Sequence, residues 1–423
     1  MATQGWSRLG VVSGWSLAGL YLVHALVTTR LARTDRLLPL REELRGWHYL
    51  LGALLFAVAA VRLWAWWRER PTPPPGLPAG AFVWGRALAL ATLVLLFLAP
   101  LPGLLFAWAD GLVVHLGGLQ VPAPIGRDRA LWQAAGYFHS GLAFMLLVLN
   151  LATLLSAAVI ALRFGVGLRS AFPPGHGAFA LLGLSSTVHA FATFRSPEPG
   201  PWAVAALWAL VLAVGGLAWR WHRGRPAPSM ARVASPSVRW AAGAGVAALV
   251  ALGAAGPWAL FRVSPVSGPA DVAARDGVTW HVRPAVPRLP VSPPDAFERR
   301  VDAEVFKWCR FCHELKPGRG AHKVGPNLYN IMGQRAGTVP GFAYSDAMRQ
   351  ARARGLVWTE EAIAAYVADP QKFLPGTTMI VSSGPITDVR VQRAILNILK
   401  RETQPPEAGA QTSPSSIRRT VAQ

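Results

Sequence analysis

Lys307-Trp308-Cys309-Arg310-Phe311-Cys312-His313 is the stretch that decides how this chain is read. Its two thiols are the only cysteines in 423 residues, and they stand three positions apart, too close to staple a fold. A histidine follows at once. Cys-x-x-Cys-His is the attachment signature for a covalent haem. The two-residue gap puts both sulfurs on one side of a helical turn, where they can form thioethers to the haem vinyls, and His313 then reaches the iron. A soft ligand is wanted on the opposite face, and Pro375-Gly376-Thr377-Thr378-Met379 offers Met379. His/Met ligation raises the potential and leaves no open position on the iron. Such a haem transfers electrons and binds no substrate.

The rest of the chain has another character. It is 52% hydrophobic and 15% charged, with a mean hydropathy of +0.32. These values exclude a disordered chain and a simple soluble globule. A spanning helix needs about 20 mostly apolar residues. Seven runs qualify, roughly 10–29, 48–67, 83–106, 136–162, 176–194, 202–220 and 240–262. The fifth is the weakest, because it carries His176, Ser185, Ser186, Thr187 and His189, which should face the bundle interior. The expected fold is all-α: a polytopic transmembrane bundle of about seven spans, 1–262, then a small all-α domain, 295–402. A Pro-rich linker at 263–294 should be extended, and a Pro/Ser/Thr-rich tail at 403–423 should be disordered.

Formal charge is +21, from 42 Lys+Arg against 21 Asp+Glu. All five lysines follow residue 294, so the basic excess before it is arginine at the flanks of apolar runs. Nucleic acid is excluded as a partner, since it would need a basic stripe on a soluble face. Covalent haem attachment takes place outside the cytoplasm. Seven spans then put the N-terminus inside, a bacterial inner membrane around the bundle and the haem domain in the periplasm, with the first span as an uncleaved anchor. The loop after the sixth run, with Arg220, Arg223, Arg225, Arg232 and Arg239 and no acid, agrees with the positive-inside rule. The loop after the first run, with Arg30, Arg33, Arg36, Arg41 and Arg45, argues mildly against it.

Four histidines fall at similar depth on this topology. His24 lies near the outer end of the first run, His48 opens the second, His139 opens the fourth, and His189 lies near the outer end of the fifth. Neutral imidazole is a good axial haem ligand, and a pair on facing helices at matched depth suits a bis-His haem b. A core packing role is the alternative, as is a catalytic metal site at the four histidines. An echo joins Val23-His24-Ala25 to Val188-His189-Ala190, so His24 and His189 are a second candidate pair for a cofactor or a quinone pocket.

The first four runs resemble the bacterial four-helix cytochrome b superfamily, of the b-561 and formate dehydrogenase gamma type. Trp47-His48 followed by Arg62-Leu63-Trp64, Pro100-Leu101-Pro102-Gly103, and Tyr137-Phe138-His139 carry the resemblance. It implies one haem b shared by His48 and His139. A second haem would need a histidine early in the first helix and another within Asn150 to Thr153, and neither stretch has one. The expectation is therefore one haem c and one haem b, two at most.

Residues 296–402 resemble class I cytochrome c of the mitochondrial type. The resemblance rests on Cys309 to His313, Lys323-Val324-Gly325-Pro326-Asn327-Leu328, Ala336-Gly337, Gly341 to Ser345, Trp358, Tyr366 and Pro375 to Met379. It implies that the Pro326 carbonyl holds the other ring nitrogen of His313, that Tyr344 and Trp358 bond a haem propionate, and that Tyr366 sits near Met379. Gln334 stands where that family usually has arginine, with Arg335 beside it. Lys307, Lys316, Lys323 and Lys372 are expected to rim the haem edge and steer an acidic partner. The function expected is a membrane-anchored electron carrier, a subunit of a membrane complex. Electrons would pass from quinol or a partner dehydrogenase, through haem b, to haem c and a terminal oxidase. A cofactor-free anchor or structural subunit bearing the tethered haem domain is the alternative.

Overall fold

Among the described residues, the first unit of the computed structural model holds seven helices: α1 (Arg8–Arg33), α2 (Pro39–Arg68), α3 (Ala79–Leu98), α4 (Pro100–Ala109), α5 (Arg129–Phe164), α6 (His176–Arg195) and α7 (Pro236–Phe261). The structure describes residues 6–167, 171–195, 234–261, 289–316, 325–339, 342–381 and 384–404. The chain divides into two units, 1–265 and 266–423. The run 202–220, residues 263–288 of the linker and the tail from 405 lie outside the described residues.

Five stretches among the described residues are long and apolar enough to cross a membrane: Arg8–Arg33, Pro39–Arg68, Ala79–Ala109, Ala130–Phe164 and Pro236–Gly256. The weak run at 176–194 is helical as α6 but is not one of the five. Large apolar side chains point outward on these helices, with Leu162 74%, Trp67 78% and Trp240 81% exposed. Such a surface suits hydrocarbon, because the helices satisfy their own backbone groups. Inside the bundle, Leu88, Leu149, Phe172 and Phe179 share one core.

The helices overrun the apolar runs. Ser7 caps α1 by accepting from the Gly10 N–H at 2.9 Å, and α2 starts at Pro39, where a missing N–H costs nothing. His48 and His139 therefore sit well inside α2 and α5 instead of opening them. The polar flanks are helical too, because arginine can satisfy helix ends: Arg41 Nη1 donates to the carbonyls of Leu31 and Thr34 at 2.8 and 2.7 Å.

The third run breaks in two. Pro100 and Pro102 lack the N–H groups that would bond the carbonyls of Leu96 and Leu98, so α3 stops and α4 restarts. The Ala99 carbonyl at the break takes the Nδ1–H of His139, 3.0 Å away. The fold is mostly helical, as expected; Val114–Leu116 and Leu119–Val121 add a short antiparallel hairpin. Gly117, at φ 62°, makes its two-residue turn with Gly118. His115 is paired with Gln120 on this hairpin.

The second unit holds α8 (Ala296–Val301), a π-turn (Asp302–Phe306), α9 (Lys307–Cys312), α10 (Asp346–Ala353), α11 (Glu360–Ala368), α12 (Pro370–Phe373) and α13 (Val389–Thr403). Val391, Ala394, Ile395, Ile398 and Leu399 form a buried helical stripe along α13, widened by Leu396, Lys400 and Thr403. That stripe covers the Val301–Phe306 region, where both side chains are fully buried. Ion pairs tie the same elements together: Glu298 with Arg401, Arg310 with Asp302 at 2.6 Å, and Lys400 with Glu360 of α11 at 2.6 Å. Phe306→Ala should cost about 3–5 kcal/mol, as removal of a fully buried ring does. A guanidinium titration followed by haem absorbance would measure it, and a loss below about 1 kcal/mol would mean the ring is not core.

Candidate functional site

The haem-attachment residues sit where α9 ends. Cys309 and Cys312, both half-buried, share the last turn of the helix. The π-turn before α9 widens the backbone by one residue and feeds this turn, a frequent arrangement at functional sites. His313 caps α9, with its N–H on the Cys309 carbonyl at 2.8 Å. Nδ1 of its ring lies 2.7 Å from the Pro326 carbonyl, which sets this nitrogen as the proton-bearing one. The ring packs flat against Gly325, where an added Cβ would come within 2.6 Å of Nδ1 and 2.8 Å of Nε2. Only a residue without a side chain leaves room there. The donor set and this cradle fit a haem iron at His313.

Arg310 anchors the attachment helix from outside. Its guanidinium meets Asp302 at 2.6 Å and Glu402 through Nε at 3.2 Å, and it lies 4.7 Å over the Phe306 ring. Burial alone would lower its pKa, but the two carboxylates outweigh burial and raise it. The charge therefore stays, binding α9 to α13.

Met379 is half-buried at the end of a loop with its own scaffold. Gln371 Nε2 donates to the carbonyls of Thr377 and Met379 at 2.8 and 3.1 Å. Tyr366 and Thr377 share a hydroxyl hydrogen bond of 2.6 Å, and the Met379 N–H reaches Thr377 Oγ1 at 3.4 Å. Burial pushes the Tyr366 hydroxyl up to about 12, against the smaller downward pull of Thr377. Trp358 stacks obliquely on Tyr366 with ring centres 5.1 Å apart. The Tyr344 hydroxyl accepts the Val339 N–H at 3.2 Å. Gln334 is buried, whereas Arg335 is exposed and lies beside Gly355. Arg335 therefore does not take up a buried position in place of the arginine that the family resemblance implies.

The lysine rim needs correction. Lys307 is buried and pairs with Glu304 at 3.5 Å, because it falls on the inward side of α9. Lys316 and Lys372 are exposed, and Lys323 lies outside the described residues.

In the bundle, three of the four histidines come together. The rings of His24 on α1 and His48 on α2 stack at 4.5 Å, and His139 on α5 meets His48 edge-on at 6.2 Å. Thr28 Oγ1 bonds His48 Nδ1 at 3.0 Å, and Gly103 leaves room for His139, since a Cβ there would lie 2.8 Å from Cε1. The sequence placed His24 and His48 at similar depth but paired His24 with His189; the antiparallel packing of α1 on α2 brings it to His48 instead. His189 is half-buried on α6. Among the described residues, no group of three or more His, Cys, Asp or Glu side chains is arranged to hold a metal ion directly.

The places for a second ligand pair are filled. Gly14 of α1 lies against the Pro174 carbonyl, Thr153 Oγ1 bonds His176 Nε2 at 3.1 Å, and Asn150 lies against Gly183 of α6. The turn Pro173–Gly175 and the start of α6 thus occupy this part of the bundle.

Comparison with known proteins locates the haem domain. The chain is 43% identical over 90 residues to cytochrome c2 of Blastochloris viridis, covering 21% of this chain and 68% of that protein. It is 42% identical over 84 residues to cytochrome c-550 of Ancylobacter novellus, covering 20% and 77%. It is 34% identical over 103 residues to cytochrome c of Arabidopsis thaliana, covering 24% and 87%. Among solved structures, cytochrome cH from Methylobacterium extorquens is similar at 30% identity over 26% of this chain and 99% of that one, with a TM-score of 0.21. No protein-family model matches the chain.

Proposed function

This chain belongs to the class I cytochrome c family through its haem-attachment domain, and we propose that the bundle of 1–262 anchors that domain, residues 295–402, in a bacterial inner membrane with the haem on the periplasmic side. Relatives of this kind carry a covalent haem c, and the bound group supplies a one-electron couple. The residues of this chain hold it at Cys309, Cys312, His313 and Met379, and Pro326, Tyr344, Trp358 and Tyr366 position it. The carrying observation is the His313 ring, clamped between the Gly325 backbone and the Pro326 carbonyl. The Pro-rich stretch 263–294 tethers the carrier. Lys316 and Lys372 offer positive charge to an acidic oxidase or other acceptor.

The donor side of the proposal is a haem b between His48 and His139. His48 and His139 would hold it, since their rings lie 6.2 Å apart on facing helices and each Nδ1 has its own hydrogen-bond partner, leaving Nε2 of each for a metal. Electrons would enter from quinol or a partner dehydrogenase. The second reading, a cofactor-free anchor, is favoured by the His24 ring stacked directly on His48.

A pyridine haemochrome spectrum of the purified full chain tests both parts. One c-type haem that survives denaturation supports the carrier, and its absence ends it. One additional b-type haem, lost in His48→Ala and in His139→Ala but kept in His189→Ala, supports the donor path. A c-type haem alone establishes the anchor reading instead.

A further inference from the structure

One arginine of the bundle has no anion of its own. Arg86 of α3 lies seven residues, about 10 Å, inside the stretch Ala79–Ala109 that is long and apolar enough to cross a membrane. Charge at that depth in hydrocarbon is costly, so long cationic side chains reach back toward the headgroups. Arg86 does this. Its guanidinium lies 5.2 Å over Trp6, which precedes the first turn of α1, and 4.4 Å over Trp66, two residues from the end of α2. The start of α1, the end of α2 and the start of α3 share this end of the bundle, and the charge of Arg86 is drawn to it.

The two indole faces accommodate a cation but offer no lone pair. No hydrogen bond or ion pair joins Arg86 to a described residue. Its Nη1 is enclosed without a partner, whereas Nε and Nη2, equally without one, open to the surface of this half-buried side chain. The carboxylate nearby is taken. Glu69 Oε2 accepts from Arg62 Nη1 at 2.8 Å, and Oε1 accepts from the N–H and the hydroxyl of Ser7 at 3.2 and 2.8 Å. Arg62, Arg70 and Glu69 are all close enough for their charges to act on Arg86, so three cations surround one carboxylate. Arg70 is exposed, with Nη1 on the Trp67 carbonyl at 3.1 Å. Beside it, Trp64 and Trp67 are 51% and 78% exposed on α2, and the Arg68 guanidinium lies 3.8 Å over the Trp64 ring.

We propose that Arg86, together with Arg70, holds the phosphate of an anionic phospholipid at this end of the bundle, which the proposed topology puts in the inner leaflet. Basic groups between spanning helices on that side recruit anionic headgroups. The open N–H groups of a guanidinium suit phosphate oxygens, and the surplus of positive charge disfavours a headgroup that adds an ammonium. Exposed indoles belong at the boundary between headgroups and acyl chains, which favours a lipid over a free anion from solution. The inference rests on the reading that the bundle lies in a membrane.

The test uses the purified full chain, immobilised in detergent micelles that carry radiolabelled dioleoylphosphatidylglycerol, with bound lipid counted. Saturable binding near one lipid per chain is expected. It should weaken about fivefold or more in Arg86→Gln, as loss of one arginine beside an anionic headgroup implies. It should stay unchanged in Arg127→Gln, which alters an exposed arginine at the other end of the bundle. Dioleoylglycerol, which lacks the phosphate, and inorganic phosphate, which lacks the chains, should not displace the label, and dioleoylphosphatidylcholine should displace it several-fold less well than unlabelled phosphatidylglycerol. Absence of saturable binding, equal affinity in Arg86→Gln, displacement by dioleoylglycerol or inorganic phosphate, or equal displacement by the choline lipid overturns the proposal. The competitor arms use the unaltered chain, so they decide the matter even where Arg86→Gln fails to fold. Recovery of the chain in carbonate-washed membranes tests the anchor separately. A chain that stays in the membrane yet binds no lipid loses this site and keeps its anchor, and a chain found in the soluble fraction loses both.

Discussion

Gly325→Ala is expected to disable the imidazole side of haem binding while leaving the attachment cysteines untouched. The added methyl carbon would stand 2.6 Å from Nδ1 and 2.8 Å from Nε2 of His313. Carbon and nitrogen at ordinary contact stay above about 3.4 Å, and the repulsive wall is steep inside that. Relief would require the ring to turn, but Nδ1 is held 2.7 Å from the Pro326 carbonyl, and the backbone N–H is held by Cys309. The ring either loses its second-nitrogen partner or leaves the position from which it meets the iron. The purified variant should show either a several-fold drop in covalent haem per polypeptide or a ferrous spectrum without six-coordinate bands. Gly384→Ala is the control. Gly384 carries backbone strain on substitution that Gly325 does not, with φ 89°, but nothing lies within 4 Å of its added carbon, so it isolates the contact with His313. Its haem content should match the parent chain. Equal, normal haem content in both variants would mean that the Gly325 contact does not hold the ring.

What the sequence made legible followed from short-range chemistry. The thiol spacing, the adjacent histidine and the Pro-flanked methionine are local, and each imposes its geometry within a turn or two. Long apolar runs are equally local, because spanning helices satisfy their backbone internally. What escaped depends on how distant segments meet. The similar depth of His24 and His48 was legible, but that α1 packs directly on α2 and so brings these two rings together is set by no periodicity within either helix. Lys307 carries a residue type that is nearly always exposed, yet it falls on the buried side of α9 beside Glu304. The helix ends were misplaced because arginine side chains, read as loop charges, cap and extend the helices they flank. The hairpin at Val114–Val121 was marked only by Gly117-Gly118 in a short segment without strong alternation. The turn at Pro173–Gly175 is the most consequential case. It looked like a loop between runs, but it inserts against Gly14 and brings His176 to Thr153, where a second haem would have needed a ligand.

Met379→His should lower the midpoint potential of haem c by an amount on the order of 0.2–0.3 V, part of the ~0.8 V range that axial ligands command. The sign follows from ligand chemistry. Thioether sulfur is soft and neutral and favours the ferrous ion, whereas imidazole is a better donor to the ferric ion. The structure makes this substitution a clean one. The loop is held by the Gln371 amide on two carbonyls and by the bond between Tyr366 and Thr377, and none of these contacts uses the Met379 side chain. The backbone should therefore present the new ligand from nearly the same place. A one-electron couple changes tenfold for each ~59 mV, so a shift of about 0.2 V alters the electron-sharing equilibrium with an acceptor by more than a thousandfold. A carrier so altered would give up electrons more readily but would accept them far less readily from its donor. Potentiometric titration of the full chain, followed at the ferrous absorbance band, reads the shift directly. A change of less than about 0.05 V would show that Met379 does not ligate the iron and that the sixth position belongs to another residue.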